Sequence, residues 1–88
     1  MSTTITKLSD SKYRVTIDER GSKTEHEVTV TAADVARYAP GATAEALLAA
    51  SFEFLLEREP KESILRRFDL PVIERYFPEY PRVMLRKK

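Results

Sequence analysis

Residues 44–58, AEALLAASFEFLLER, constrain the fold more than any other stretch of this chain. Read at helical spacing, Ala46, Leu47, Leu48, Ala49, Ala50, Phe52, Phe54, Leu55 and Leu56 leave only a narrow polar stripe, chiefly Glu45, Glu53 and Glu57. An ordinary surface helix has one apolar stripe and a broad polar face. A helix apolar over most of its circumference has to be covered on more than one side, so it predicts a spine with a sheet on one flank and other helices on another. Thr43 is placed to cap its start.

What surrounds the spine must come from a short chain. With 88 residues there is material for one domain and one core. The sheet is legible upstream. Residues 12–18 alternate, with Tyr13, Val15 and Ile17 on one face and Lys12, Arg14, Thr16 and Asp18 on the other, and residues 23–30 alternate again through His26, Val28 and Val30. Gly21 supplies the turn between them. Pairing Asp18 with Lys23 sets Arg14 opposite Glu27, Val15 opposite His26 and Tyr13 opposite Val28, so the apolar faces coincide and two charge pairs match. Thr4 to Leu8 is expected to add a third antiparallel strand through the turn at Ser9, Asp10 and Ser11, since a lone hairpin is marginal in water.

From residue 31 the period changes. Thr31 followed by Asp34 is a capping-box-like start for a short helix over about Ala32 to Ala39, stopped by Pro40 and Gly41. After the spine, Pro60 is expected to begin a helix from Lys61 to about Phe68 with Ile64, Leu65 and Phe68 as its stripe. Asp69 is then expected to cap a further turn or two through Pro71, Val72, Ile73, Tyr76 and Phe77, ended by Pro78. The fold class is therefore α+β: an N-terminal antiparallel hairpin or three-stranded sheet packed on a long apolar helix and followed by short C-terminal helices. Within a single domain, 1–31 form the sheet portion, 32–80 the helical portion and 81–88 a basic tail.

The absence of cysteine excludes disulfide frameworks, thiolate metal sites and cysteine nucleophiles, and makes a cytoplasmic setting the expectation. No apolar run approaches the roughly 18 residues that span a bilayer, so no membrane is expected. Catalysis or metal binding needs several His, Cys, Asp or Glu side chains to converge, and the chain has one histidine, His26, whose neighbours Glu25 and Glu27 point to the opposite face of a strand. A non-enzymatic protein with no cofactor, no metal and no catalytic residues is the expectation.

Near-neutral net charge conceals an asymmetry that bears on partners. Residues 1–57 hold six basic and nine acidic side chains, and residues 58–88 hold nine and five. The C-terminal cations include Arg66, Arg67, Arg75, Arg82, Arg86, Lys87 and Lys88. Grouped cations bind phosphates, but a domain that binds nucleic acid this way usually has a pI above about 9. The sequence pI here is about 8.0, which ranks nucleic acid behind other partners. The segment Tyr76, Phe77, Pro78, Glu79, Tyr80, Pro81 puts three aromatics and two prolines into six residues. Such a stiff, apolar strip either packs back over the core or docks on another chain. Tyr76, Phe77 and Tyr80, with Arg66, Arg67 and Arg75, are the candidate partner-binding residues, and the partner is another protein or a second copy of the chain.

Two resemblances add to this reading. The pattern FLLEREPKESIL, FDL and IERYFPEY is similar to a family of small uncharacterised bacterial proteins, which implies a bacterial cytoplasmic protein and no particular activity. Residues 26–58, with GATAEALLAASFEFLLER as the second helix, resemble ribbon-helix-helix proteins. That resemblance implies, as the alternative function, a DNA-binding transcriptional regulator or antitoxin in which the segment from His26 to Thr31 is the ribbon.

Overall fold

The computed structural model describes residues 2–86. Strands β1 (Ser2–Lys7), β2 (Lys12–Glu19) and β3 (Ser22–Thr29) are followed by helices α1 (Ala32–Tyr38) and α2 (Ala44–Leu56). A 3₁₀ turn (Lys61–Ser63), a fourth strand β4 (Arg67–Asp69) and helices α3 (Val72–Tyr76) and α4 (Tyr80–Arg86) complete the chain. The sheet order is β1-β2-β3-β4, antiparallel except for β4, which runs parallel to β3. The class is α+β.

The β2–β3 register is the one that the charge and apolar patterns dictate: Asp18 faces Lys23, Arg14 faces Glu27, Val15 faces His26 and Tyr13 faces Val28. The connecting turn places both Arg20 (φ 53°) and Gly21 (φ 78°) in the left-handed region, the requirement of the two-residue turn whose twist matches the strands. The third strand expected at the N-terminus is β1, paired antiparallel with β2.

Helix α2 lies across the inner face of the sheet. Phe52 points toward it, with ring centroids 5.4 Å from His26 and 6.2 Å from Phe68, whereas Phe54 points the other way onto Phe77 and Tyr80 at 5.7 and 5.3 Å. Coverage on two flanks is thus what an almost wholly apolar helix obtains. The helix is of ordinary length rather than long: its 13 residues end at Leu56. There Arg58 donates from Nη1 to the Phe54 carbonyl at 3.0 Å and from Nε to Glu79 at 3.3 Å, while stacking 3.6 Å above the Phe54 ring. This cation satisfies a terminal carbonyl and ties α2 to the segment before α4. At the other end Thr43 Oγ1 accepts from the Ala46 N–H at 3.0 Å. Replacing Thr43 by alanine is expected to lower unfolding stability by about 1 kcal/mol, measurable as a shift of the urea midpoint at unchanged slope.

Three expectations for the second half need correction. The helix expected from Lys61 to about Phe68 is only the 3₁₀ turn followed by β4. The Glu27 N–H donates to the Arg66 carbonyl at 2.8 Å and the Leu70 N–H to the Thr29 carbonyl at 3.0 Å, so β3's unused edge captures this backbone for the sheet. Asp69 is the last residue of β4 and not a helix cap, and Pro71 takes the cap position of α3. Residues 81–88 are not simply a tail. Tyr80–Arg86 form α4, held by buried Tyr80 and Met84 one turn apart, with Pro81 in the first turn where its missing N–H costs nothing. Lys87 and Lys88 lie outside the described residues.

Buried Lys61 fixes the 3₁₀ turn: its ammonium reaches Glu62 at 2.8 Å and Glu19 at 3.7 Å. The hydrogen bond to Glu62 holds the Lys61 pKa above its ordinary value. On α1, the Tyr38 hydroxyl donates to Glu74 at 2.8 Å and Arg37 pairs with the same carboxylate at 2.9 Å, which anchors α3. Burial, then the Glu74 bond, pushes the Tyr38 pKa up to about 12.

A candidate partner-binding groove

The short helix α3 is too short to fold by itself and is positioned from both sides. Its Glu74 side faces Tyr38 and Arg37, and its opposite side, Val72, Ile73 and Tyr76, lines a groove of about 370 Å³. Leu55 from α2, Ile64 and Leu65 from the loop before β4, Phe68 from β4 and Phe77 at the end of α3 supply the other walls, with Glu59 and Ser63 at the polar margin. Leu65 is 45% and Tyr76 66% exposed, so two large apolar side chains stand at its mouth in water. Single exposed apolar residues are ordinary, but two that flank one apolar depression form a surface suited to binding.

The loop carrying Leu65 is held by the sheet. His26 Nδ1 donates to the Leu65 carbonyl at 2.8 Å, which leaves Nε2 to accept from the Thr24 hydroxyl at 2.9 Å. In the neutral ring the proton is therefore on Nδ1. Burial lowers its pKa below the ordinary histidine value, the Arg66 charge adds to this, and the Leu65 bond works against both.

The six candidate partner-binding residues fall into four places. Tyr76 and Phe77 are in the groove, Tyr76 at its mouth and Phe77 half-buried, packed edge-on against Phe54. Tyr80 is core, and assigning it to a partner surface is corrected: it is fully buried beside Ser51, 2.6 Å from Ser51 Oγ, with Tyr38 5.0 Å away. Ser51 uses its one proton on the Leu47 carbonyl at 2.7 Å, so the Tyr80 hydroxyl is the donor to Ser51. Burial raises the Tyr80 pKa. Arg66 and Arg67 leave the groove altogether. They line a polar recess at the β4 edge with Arg14, Glu25, His26 and Glu27, where Arg67 reaches Glu27 at 3.6 Å. Arg75 is exposed on α3, beside the groove-lining residues.

Sequence reasoning missed Leu55, Leu65 and Val72 as groove residues, because each belongs to a stripe that reads equally well as core. The signal for Leu65 was its place beside buried Ile64 with Arg66 following, a pattern that an extended segment splits between two faces. Among the described residues no group of three or more histidines and carboxylates is placed to hold a metal ion, and no helix is long and apolar enough to cross a membrane. Comparison with protein-family models, with curated proteins and with solved structures finds no match to this chain.

Proposed function

We propose that this chain is a non-catalytic protein–protein interaction module of the bacterial cytoplasm, whose groove between α3 and the β4 loop receives large apolar side chains of a partner protein. The observation that carries this reading is the pair Leu65 and Tyr76, both water-exposed at the mouth of a depression walled by Phe68, Val72 and Phe77. Tyrosine at such a position brings large contact area with few rotors, the property that concentrates binding energy in aromatic anchors. A small-molecule site would add several convergent polar groups, and here Glu59 and Ser63 alone border the groove.

The alternative reading, a ribbon-helix-helix regulator or antitoxin, requires the His26–Thr31 strand to pair with its copy in a second subunit. Both edges of β3 are taken, by β2 and by β4, and its solvent face presents Glu25 and Glu27, the wrong sign for phosphate.

Affinity capture with tagged wild type and with a Leu65→Asp/Tyr76→Asp variant tests the proposal. Loss of the captured protein, with capture kept by Leu8→Asp on a distant exposed leucine, is expected. Equal capture by wild type and the groove variant would remove the groove from the partner site.

A further inference from the structure

The sheet has one long open edge. β1 is its outermost strand, six residues without proline, and its side chains are exposed apart from half-buried Ile5. Natural proteins usually blunt such edges with charges, prolines, bulges or a covering segment. Here the single charge, Lys7, stands at the last position of the strand.

The hydrogen-bond phase of this edge follows from its neighbours. The Leu8 N–H donates to the Lys12 carbonyl at 2.8 Å, and the Val30 N–H to the Ser11 carbonyl at 2.7 Å. Even-numbered residues of β1 therefore bond to even-numbered residues of β2, and the backbone N–H and C=O groups of Thr3, Ile5 and Lys7 point out of the sheet. Among the described residues none of them bonds to another segment.

We infer that this edge pairs with β1 of a second copy of the chain, antiparallel about a two-fold axis through Ile5, which joins two four-stranded sheets into one of eight strands. The register is self-selecting. Setting Ile5 opposite Ile5 of the partner copy puts Thr3 opposite Lys7 and Thr4 opposite Thr6, so the three outward residues of each strand exchange six backbone hydrogen bonds. No like charges face each other, and the half-buried isoleucines cover one another on the helix-bearing side. A slip of two residues in either direction reduces the hydrogen bonds to four and breaks the isoleucine pair. A slip of one puts Ile5 on the solvent side of the neighbouring strand. The occupant is thus the same strand of a second copy, because its own sequence meets each of these conditions about the two-fold axis.

Sedimentation or light-scattering mass of the whole chain across a concentration series gives the first reading, with a concentration-dependent dimer expected. Thr3→Pro removes an N–H that faces outward and no bond to β2, so it is expected to weaken the dimer at least ~10-fold while leaving the circular dichroism unchanged. Register is read by cross-linking, since the native chain has no cysteine. Ile5→Cys places two thiols on directly opposed residues about 5.5 Å apart at Cα and is expected to give a disulfide-linked dimer on mild oxidation. Thr3→Cys places them roughly 13 Å apart and is expected not to cross-link. A monomer at every concentration overturns the inference. So does a dimer that survives Thr3→Pro, or one that cross-links equally at both positions. Should Thr3→Pro unfold the chain, the two cysteine variants decide by themselves. The Leu65→Asp/Tyr76→Asp variant is expected to keep its dimer, which separates this edge from the groove.

Discussion

Alanine at position 80 is expected to lower unfolding stability by about 3–5 kcal/mol, whereas alanine at position 76, four residues earlier in the same aromatic strip, is expected to change it by no more than about 0.5 kcal/mol. The contrast follows from where α3 ends. Tyr76 closes that helix facing the groove and is two-thirds exposed, so its removal leaves no cavity. Tyr80 begins α4 with its ring wedged between Tyr38 and Phe54 and its hydroxyl on Ser51. Its removal empties a site lined by rings that cannot collapse onto one another, and it withdraws the donor from a buried serine. A chain of this length has a total stability of roughly 4–13 kcal/mol, so Tyr80→Ala is expected to be partly or wholly unfolded at 37 °C. Tyr80→Phe isolates the hydroxyl: Ser51 keeps its bond to Leu47, and a loss of about 1 kcal/mol is expected. Chemical denaturation of the three variants checks these values, and partner capture by Tyr76→Ala, folded but lacking its anchor, is expected to fall.

The second large effect belongs to His26. Alanine there is expected to cost roughly 2–4 kcal/mol at neutral pH, because it opens a void beside Phe52 and leaves the Leu65 carbonyl and the Thr24 hydroxyl without partners. The pH dependence is more diagnostic. The folded-state pKa of His26 lies below that of the unfolded chain, so between the two values the unfolded state binds the extra proton and stability falls as pH falls. The loss begins as pH drops through about 6.5, the unfolded value, and is complete once pH is below the folded value. No other histidine titrates in that window. Wild type is therefore expected to have a lower urea midpoint at pH 5.5 than at pH 7.5, and His26→Gln a midpoint that is the same at both. An unchanged wild-type midpoint would mean that the buried ring accepts a proton without penalty. The added proton goes to Nε2, which can then no longer accept from the Thr24 hydroxyl, while Nδ1 still donates to the Leu65 carbonyl.

How far the sequence carried the fold depended on whether each segment's signal was local. The β2–β3 hairpin was legible to the residue because both strands alternate over eight positions and carry the matched charges Asp18·Lys23 and Arg14·Glu27. The spine's two-sided burial was legible because few polar side chains interrupt it. β4 was not: Arg67-Phe68-Asp69 is too short for a period, and its strand character comes from β3 offering an edge to it. α4 was hidden by its flanking prolines: Pro78 reads as a stop, and Pro81, read as part of a stiff strip, acts as a first-turn residue. The same limit applies to the groove. Tyr76 and Phe77 announced themselves by composition, but only the path of the chain through β4 decides that Leu65 joins them while Arg66 and Arg67 turn to the opposite side with Glu25 and Glu27.

The parallel pairing of β3 with β4 also sets an order of events in time. The contacts of β1 with β2 and of β2 with β3 join residues close in sequence, but Glu27 and Arg67 are separated along the chain by both α1 and α2. Closing so long a loop costs entropy that nothing repays until the strand docks, so the β-meander is the early structure and β4 a late arrival. β4 is joined to the sheet by three residue pairs, against six for β1 and eight between β2 and β3, so the groove's Leu65 loop hangs on the shortest pairing in the sheet.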